Sequence, residues 1–211
     1  MNTHPLTSTE RPTLDVGVIM RREAVPGPMS QWQAWRWLLA DVVRPQDIGA
    51  TLEDWAALGT EPVPIELNDS DAPHDGPPPQ HWLYPGMKVE LYRDDAEGYY
   101  LNLTSPKPCY WVLWRLSADT STDEMPQPLI VTVSYHEAGR WLDAQERVDQ
   151  VQAPQAVRDW VAAYTETHYV PEPKRRVRPA SFQPLQDRFG NPASISTEKR
   201  RGQGAGGEHG G

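Results

Sequence analysis

One block of this chain constrains its fold more than any other: residues 89–114, which read V-E-L-Y-R-D-D-A-E-G-Y-Y-L-N-L-T-S-P-K-P-C-Y-W-V-L-W. Apolar residues alternate with polar ones on either side of an acidic turn closed by Gly98, and a Ser-Pro-Lys-Pro turn follows. Alternation with a period of two indicates strands, and glycine permits the positive φ of a tight turn. The block therefore predicts three antiparallel strands, at about residues 87–93, 99–104 and 109–116, with a hairpin loop at residues 94–98.

The last of these three strands is apolar on both of its faces. One face carries Trp111 and Leu113. The opposite face carries four further apolar side chains: Tyr110, Val112, Trp114 and Leu116. A strand with this pattern is covered on both sides. We expect it to be a central strand or part of a barrel wall.

Other segments predict the remaining strands. Residues 14–21 are rich in β-branched side chains, and residues 32–43 alternate before becoming apolar on both faces, so each indicates a strand. Helix is the competing interpretation of residues 32–43. Residues 63–67 are expected at a sheet edge, because the proline at position 64 has no N–H for a central strand. Residues 129–133 supply the last predicted strand.

Capping residues and periodicity predict helices. Thr51 is placed to begin a short helix. Ser134 and Glu137 match a capping box, which predicts a helix over residues 135–147. Pro154 suits the first turn of a second helix, whose apolar side chains recur at helical spacing. These side chains are Val157, Trp160, Val161 and Tyr164.

Together the elements predict an α+β fold: an antiparallel sheet or partly open barrel of about six strands, followed by two C-terminal helices. The length of 211 residues suits one such domain, which we place at residues 13–170. We expect a disordered N-terminus at residues 1–12 and a mobile proline-rich loop at residues 68–80. Residues 171–211 are expected to form a basic, glycine-rich disordered tail.

Charge and cysteine usage narrow the class of protein. The net charge is −9, and residues 171–211 carry eight basic against four acidic side chains, so residues 1–170 carry −13. An acidic body repels phosphates, so we do not expect nucleic acid as a partner. No apolar run is long enough to span a membrane, and the first residues have no apolar stretch typical of a secretory signal, so we expect neither feature. With its single cysteine, the chain is expected to be cytoplasmic.

Two groups of residues are candidates for a ligand or partner surface. Trp32, Trp35 and Trp37 alternate along one strand and could line a binding groove, although the same rings could simply stiffen a sheet. The second group is the polar turn, for which a solvated hairpin tip is the alternative. It comprises Arg93, Asp94, Asp95 and Glu97.

No catalytic or metal-binding motif stands out. His136 and Glu137 resemble the start of a zinc-protease helix, but Arg140 occupies the position of the second histidine. Cys109 lies in an apolar strand, which predicts a buried and inert thiol. We therefore predict no catalytic residue, no metal and no cofactor.

Four segments carry a resemblance to a known family. They read G-V-I-M-R-R-E, P-G-M-K-V-E-L-Y-R-D-D-A-E-G-Y-Y-L-N-L-T-S-P-K-P, V-T-V-S-Y-H-E-A-G-R-W-L-D and H-Y-V-P-E-P-K-R-R-V-R-P-A-S-F. Over about residues 16–182 the chain resembles an uncharacterised bacterial domain family whose members are often encoded beside formate dehydrogenase genes.

The resemblance implies a role without implying a reaction. It suggests a non-catalytic accessory protein of formate dehydrogenase maturation or assembly, whose partner is the dehydrogenase or one of its maturation factors. The alternative is a small-ligand-binding protein or enzyme that uses a tryptophan-rich sheet face and is linked to molybdenum cofactor handling. In that alternative Trp111 and Trp114 join the three tryptophans of the second strand.

Overall fold

The computed structural model describes residues 11–67, 77–117 and 125–171. The strands are β1 (Thr13–Ala24), β2 (Trp35–Val43), β3 (Val63–Ile65), β4 (Gln80–Glu90), β5 (Cys109–Leu116), β6 (Pro126–Thr132) and β7 (Val148–Gln152). The α-helices are α1 (Leu52–Ala57), α2 (Ala96–Leu103), α3 (Tyr135–Asp143) and α4 (Gln155–His168). Most of the expected disordered N-terminus, of the proline-rich loop and of the basic tail lies outside the described residues.

The described strands form two antiparallel sheets. The larger sheet has the order β2-β1-β4-β3, and the smaller one has the order β6-β5-β7. The predicted α+β class is confirmed, with two sheets of four and three strands and no closed barrel in the described part of the chain. As predicted, β5 is a central strand, and β3, which contains Pro64, lies at an edge.

The main core lies between the two sheets. β1 contributes Val16, Val18 and Met20, and β5 contributes Tyr110, Val112 and Trp114. Val157 and Val161 of α4 join the same cluster. Burying an aliphatic side chain of this size stabilises the fold by roughly 1.5–3 kcal/mol. Alternate residues of β1 and of β5 therefore face this core.

Helices cover part of each outer sheet face. Trp55 of α1 packs with Ile19 and Leu83 on the larger sheet. A Cβ atom on Gly17 would lie 2.7 Å from both Leu83 Cδ1 and Trp55 Cη2, so glycine is needed for this close approach. On the smaller sheet, α3 packs with its Ala138 against β5.

The prediction of a strand at residues 99–104 is wrong, because these residues belong largely to α2. The polar turn before them is not a hairpin loop: it forms a 3-10 segment, Arg93–Asp95, that runs directly into the helix. Burial follows helical spacing, with Tyr99 and Asn102 inside and Leu101 37% exposed. The alternation of leucines in the sequence therefore does not mark the buried face.

Hydrogen bonds explain why Asn102, a polar residue of α2, is buried. Its Nδ2 donates to the carbonyls of Cys109, at 2.8 Å, and Val133, at 2.9 Å. Its Oδ1 accepts from the amide of Cys109 at 3.0 Å. One side chain thus joins α2 to the start of β5 and to the residue that follows β6. A buried amide satisfied in this way costs little to bury.

The C-terminal elements match the predictions in part. Ser134 caps α3 by accepting from the amide of Glu137 at 3.1 Å, but only this half of the predicted capping box forms, since the amide of Ser134 donates to Thr132 Oγ1 at 3.2 Å. The second predicted helix, α4, begins directly after Pro154, which is its N-cap and not a residue of its first turn. The predicted helix over residues 135–147 is too long, since α3 ends at Asp143 and Gln145 has a φ of 60°. The chain then enters β7, which the sequence did not indicate.

Candidate functional site

The three candidate tryptophans lie at the start of β2 and in the turn before it. Trp32 follows a 3-10 segment, Gly27–Gln31, and is 81% exposed. Trp35 and Trp37 are half-buried members of β2. The structure thus keeps the three rings in one region of the chain, with Trp32 the most open to solvent.

β1 brings an arginine to these rings. Arg22 pairs in register with Trp37, and its guanidinium carbon lies 5.0 Å from the ring centroid of Trp35 and 5.9 Å from that of Trp37. Trp82 of β4 packs edge-on against Trp37, with the centroids 5.1 Å apart. Arginine over tryptophan is a favourable cation–π contact of about 0.5–1 kcal/mol at exposed sites. We call Arg22, Trp32, Trp35 and Trp37 the tryptophan patch.

A buried carboxylate lies beside the tryptophan patch. Glu23 of β1 is only 3% exposed. Its Oε1 accepts from Arg36 Nε at 2.6 Å, and its Oε2 lies 3.1 Å from Arg21 Nη2. Two guanidinium groups therefore compensate one buried charge, as such a charge requires. This cluster holds β1 and β2 together.

The polar turn lies elsewhere. Arg93, Asp94 and Asp95 follow β4, whose end pairs with the start of β1, while the tryptophan patch adjoins the end of β1. At about 3.3 Å per residue these ends are roughly 30–40 Å apart along a strand of this length. The two groups of candidate residues therefore do not form one site.

The acidic side chains of the polar turn are placed at a helix start. Asp95 immediately precedes α2, and Glu97 lies in its first turn. Negative side chains at this end stabilise a helix by about 0.3–1 kcal/mol. Within the described residues, no three His, Cys, Asp or Glu side chains are arranged to hold a metal ion.

A cleft lies where β2, an edge strand of the larger sheet, approaches β7, an edge strand of the smaller sheet. The sequence did not indicate this cleft. It has a volume of about 540 Å³. The lining residues come from β1, β2, β5, α3 and β7: Arg21, Leu38, Leu39, Trp111, Leu142, Val148, Asp149 and Gln150. Because these elements are distant in sequence, no local motif could have revealed the cleft. Its walls combine aliphatic and aromatic surface with three polar groups, a common composition for small-ligand sites.

Of the two β5 tryptophans proposed for ligand binding, Trp114 has a structural role. Trp114 is fully buried, and its Nε1 donates to Asp149 Oδ2 at 2.8 Å. The guanidinium carbon of Arg147 lies 4.2 Å from the ring centroid. Trp114 therefore ties β5 to β7 and does not face a ligand. Trp111, by contrast, does line the cleft.

The predicted burial of Cys109 is confirmed. Burial raises the pKa of its thiol to about 11. Since the thiolate is the nucleophilic form, the thiol is held in its unreactive state near neutral pH.

Comparison with known proteins gives one match. Residues 15–178 match the model of a family described as a protein of unknown function, DUF3305. No match was found among curated proteins or among solved structures. In the described ranges, no helix has both the length and the apolar character required to cross a bilayer.

Proposed function

The chain belongs to the DUF3305 family, and on that premise we propose that it is a cytoplasmic, non-catalytic accessory protein that binds formate dehydrogenase or one of its maturation factors. The dehydrogenase enters through the resemblance of four sequence segments to proteins encoded beside its genes. The tryptophan patch is the structural observation that supports a binding role.

The exposure of Trp32 is the strongest part of this support. A tryptophan that is 81% exposed leaves most of a large apolar surface in water. Met29, in the same turn, is 62% exposed. Tryptophan and arginine are the residues most enriched in the energetic centres of protein interfaces, and methionine is also enriched there. A protein partner that covers the patch would remove this apolar surface from water.

Co-purification from the native host tests this proposal. The tagged full chain should retain the large subunit of formate dehydrogenase, and Trp32→Ala should reduce the amount retained because the ring contributes contact area and little to folding. Leu129→Ala is the matched control, since Leu129 is an exposed apolar residue of the other sheet.

Two results would reject the proposal. One is retention of the large subunit that is equal for Trp32→Ala and the unaltered chain. The other is normal formate dehydrogenase activity in a host strain that lacks the gene for this protein. Reduced retention by Leu129→Ala would show that the patch is not specific.

The cleft favours a second candidate function, the binding of a small ligand linked to molybdenum cofactor handling. Trp111, Arg21 and Gln150 would supply a ring face and hydrogen bonds for a flat heterocycle. Titration with pterin and nucleotide ligands should change the tryptophan fluorescence of the chain, and Trp111→Phe should reduce that change. A flat titration would reject this candidate.

A further inference from the structure

The wall of the cleft between β2 and β7 contains two charged residues, Arg21 and Asp149. Arg21 is already ion-paired with the buried Glu23, at 3.1 Å. Asp149 makes no ion pair in the described part of the chain, and the neighbouring Arg147 lies over the ring of Trp114 instead. The carboxylate of Asp149 is therefore the charged group of this wall that a ligand can engage.

A hydrogen bond fixes the position of this carboxylate. Asp149 Oδ2 accepts from Trp114 Nε1 at 2.8 Å, and the ring of Trp114 is fully buried. Asp149 itself is half-buried. An ionised carboxylate has about four acceptor positions, so a single bond leaves others for a ligand. An acceptor held in this way is pre-organised for a group that presents N–H donors side by side.

The rest of the wall fits a flat ring. Trp111 is 8% exposed, and Tyr135 packs edge-on against it with the ring centroids 6.1 Å apart, so its orientation is fixed. The aliphatic part of the wall comprises Leu38, Leu39, Leu142 and Val148. The volume of about 540 Å³ is within the range of small-molecule sites, about 300–1,000 Å³.

The charged residues of the wall also limit the charge of the ligand. A cation would approach Arg21, and an anion would approach Asp149 as well as a body that carries −13 over residues 1–170. Like charges brought together at a binding site disfavour the complex. A neutral ring whose N–H groups face Asp149 avoids both conflicts.

We propose that Asp149 selects neutral heterocycles with the 2-amino-4-oxopyrimidine edge, which guanine and pterin share. In this edge a ring N–H and an exocyclic NH₂ group point in the same direction, and one carboxylate can accept from both. A ring with an oxygen in place of the amino group would instead direct a lone pair at the carboxylate. This inference rests on the second candidate function, ligand binding in the cleft, and names the part of the ligand that is recognised.

Isothermal titration calorimetry of the full chain with two matched pairs of ligands tests the proposal. Lumazine has a carbonyl where pterin has the 2-amino group, and inosine is guanosine without that group. Pterin should bind at least about ten-fold more tightly than lumazine, and guanosine than inosine, because a charged acceptor then loses a donor. The tighter of pterin and guanosine identifies the source of the edge that the cleft takes.

Asp149→Asn should reverse the preference. The amide of asparagine can donate to the 2-oxo group of lumazine and still accept from Trp114, so this variant should bind lumazine about three-fold or more tightly than pterin. Loss of the fold would weaken the binding of both ligands and cannot produce a reversal. Asp143→Asn is the matched control, because Asp143 is an exposed carboxylate at the end of α3 outside the cleft wall, and it should keep the preference for pterin.

Three results would overturn the inference. They are equal binding of pterin and lumazine, an unchanged preference in Asp149→Asn, and a reversal of the same size in Asp143→Asn. If the ligands bind and Trp111→Phe weakens them, but pterin and lumazine are not distinguished, this inference fails alone. If none of the four ligands binds, the second candidate function fails with it.

Discussion

Replacement of Asn102 by alanine should destabilise the domain strongly. The substitution removes three hydrogen bonds, of 2.8, 2.9 and 3.0 Å, and leaves the carbonyls of Cys109 and Val133 and the amide of Cys109 buried without this partner. At about 1 kcal/mol for each bond, with a further penalty for stranded groups, the free energy of unfolding should fall by about 3–5 kcal/mol. Asn102 is 3% exposed, so water cannot easily replace the amide.

The neighbouring residue supplies the control. Leu101 is a larger apolar side chain, but it lies on the exposed side of α2, and alanine is a better helix former. Leu101→Ala should therefore change the free energy of unfolding by less than about 1 kcal/mol. If residues 99–104 formed a strand with its leucines buried, the order of the two effects would be reversed.

Urea unfolding followed by tryptophan fluorescence measures both variants, with stabilities compared at a common slope. Trp114, fully buried in β5, makes the signal sensitive to loss of the core. A loss below about 1 kcal/mol for Asn102→Ala would refute the role assigned to this side chain. So would an equal loss for Leu101→Ala.

Four further substitutions test the stability of the domain. Gly98→Ala should cost about 1–3 kcal/mol, because a methyl group there would collide with Ser134 Oγ and approach Asp95. Gly139 lies in α3, and a methyl group there would have no atom within 4 Å. Gly139→Ala should therefore stabilise the domain by about 0.5–1 kcal/mol. Equal changes in the urea midpoint of the two glycine variants would contradict both predictions. Ser134→Ala should cost about 1 kcal/mol in the same assay by removing the cap of α3, and no loss would show that the cap is replaceable. Burial raises the pKa of Cys109 from 9.0 to about 11, so its contribution to stability is complete below pH 9 and is lost as the pH rises to about 11. That loss amounts to about 3 kcal/mol, and Cys109→Ala should show a correspondingly flatter decline in urea midpoint over this interval; parallel declines would refute the assignment.

The sequence predicts best the elements whose burial is carried by apolar side chains. The strand at residues 109–116 coincides with β5 because both faces are apolar and both are covered. The second helix is likewise found by its period, since Val157 and Val161 enter the main core. In these segments hydrophobicity and burial agree.

The failures occur where hydrogen bonds decide burial. Asn102 is buried by bonds to groups as far as 31 residues away, which no local pattern reports. β7, V-D-Q-V-Q, is polar at three positions, yet it pairs with β5, and Asp149 accepts from Trp114. Both elements depend on partners that only the tertiary structure brings together.

The tryptophan patch also combines a feature that the sequence shows with one that depends on the tertiary structure. Trp32, Trp35 and Trp37 stand out in the sequence, but the approach of Arg22 depends on the register of β1 with β2. The aromatic part of the surface is therefore visible in the sequence, whereas the position of its arginine is not.

The central position of β1 has a consequence for synthesis on the ribosome. β1 is made first and can pair with β2 as soon as that strand has been synthesised. Its other neighbour, β4, is complete only 66 residues after the end of β1. At about 5–20 residues per second, the second edge of β1 waits roughly 3–13 seconds for its permanent partner. During that interval the nascent chain carries a strand whose apolar face and unpaired edge are both accessible. A chaperone that covers extended segments would therefore be most useful before β4 emerges, and pausing between β2 and β4 should promote aggregation more than pausing later.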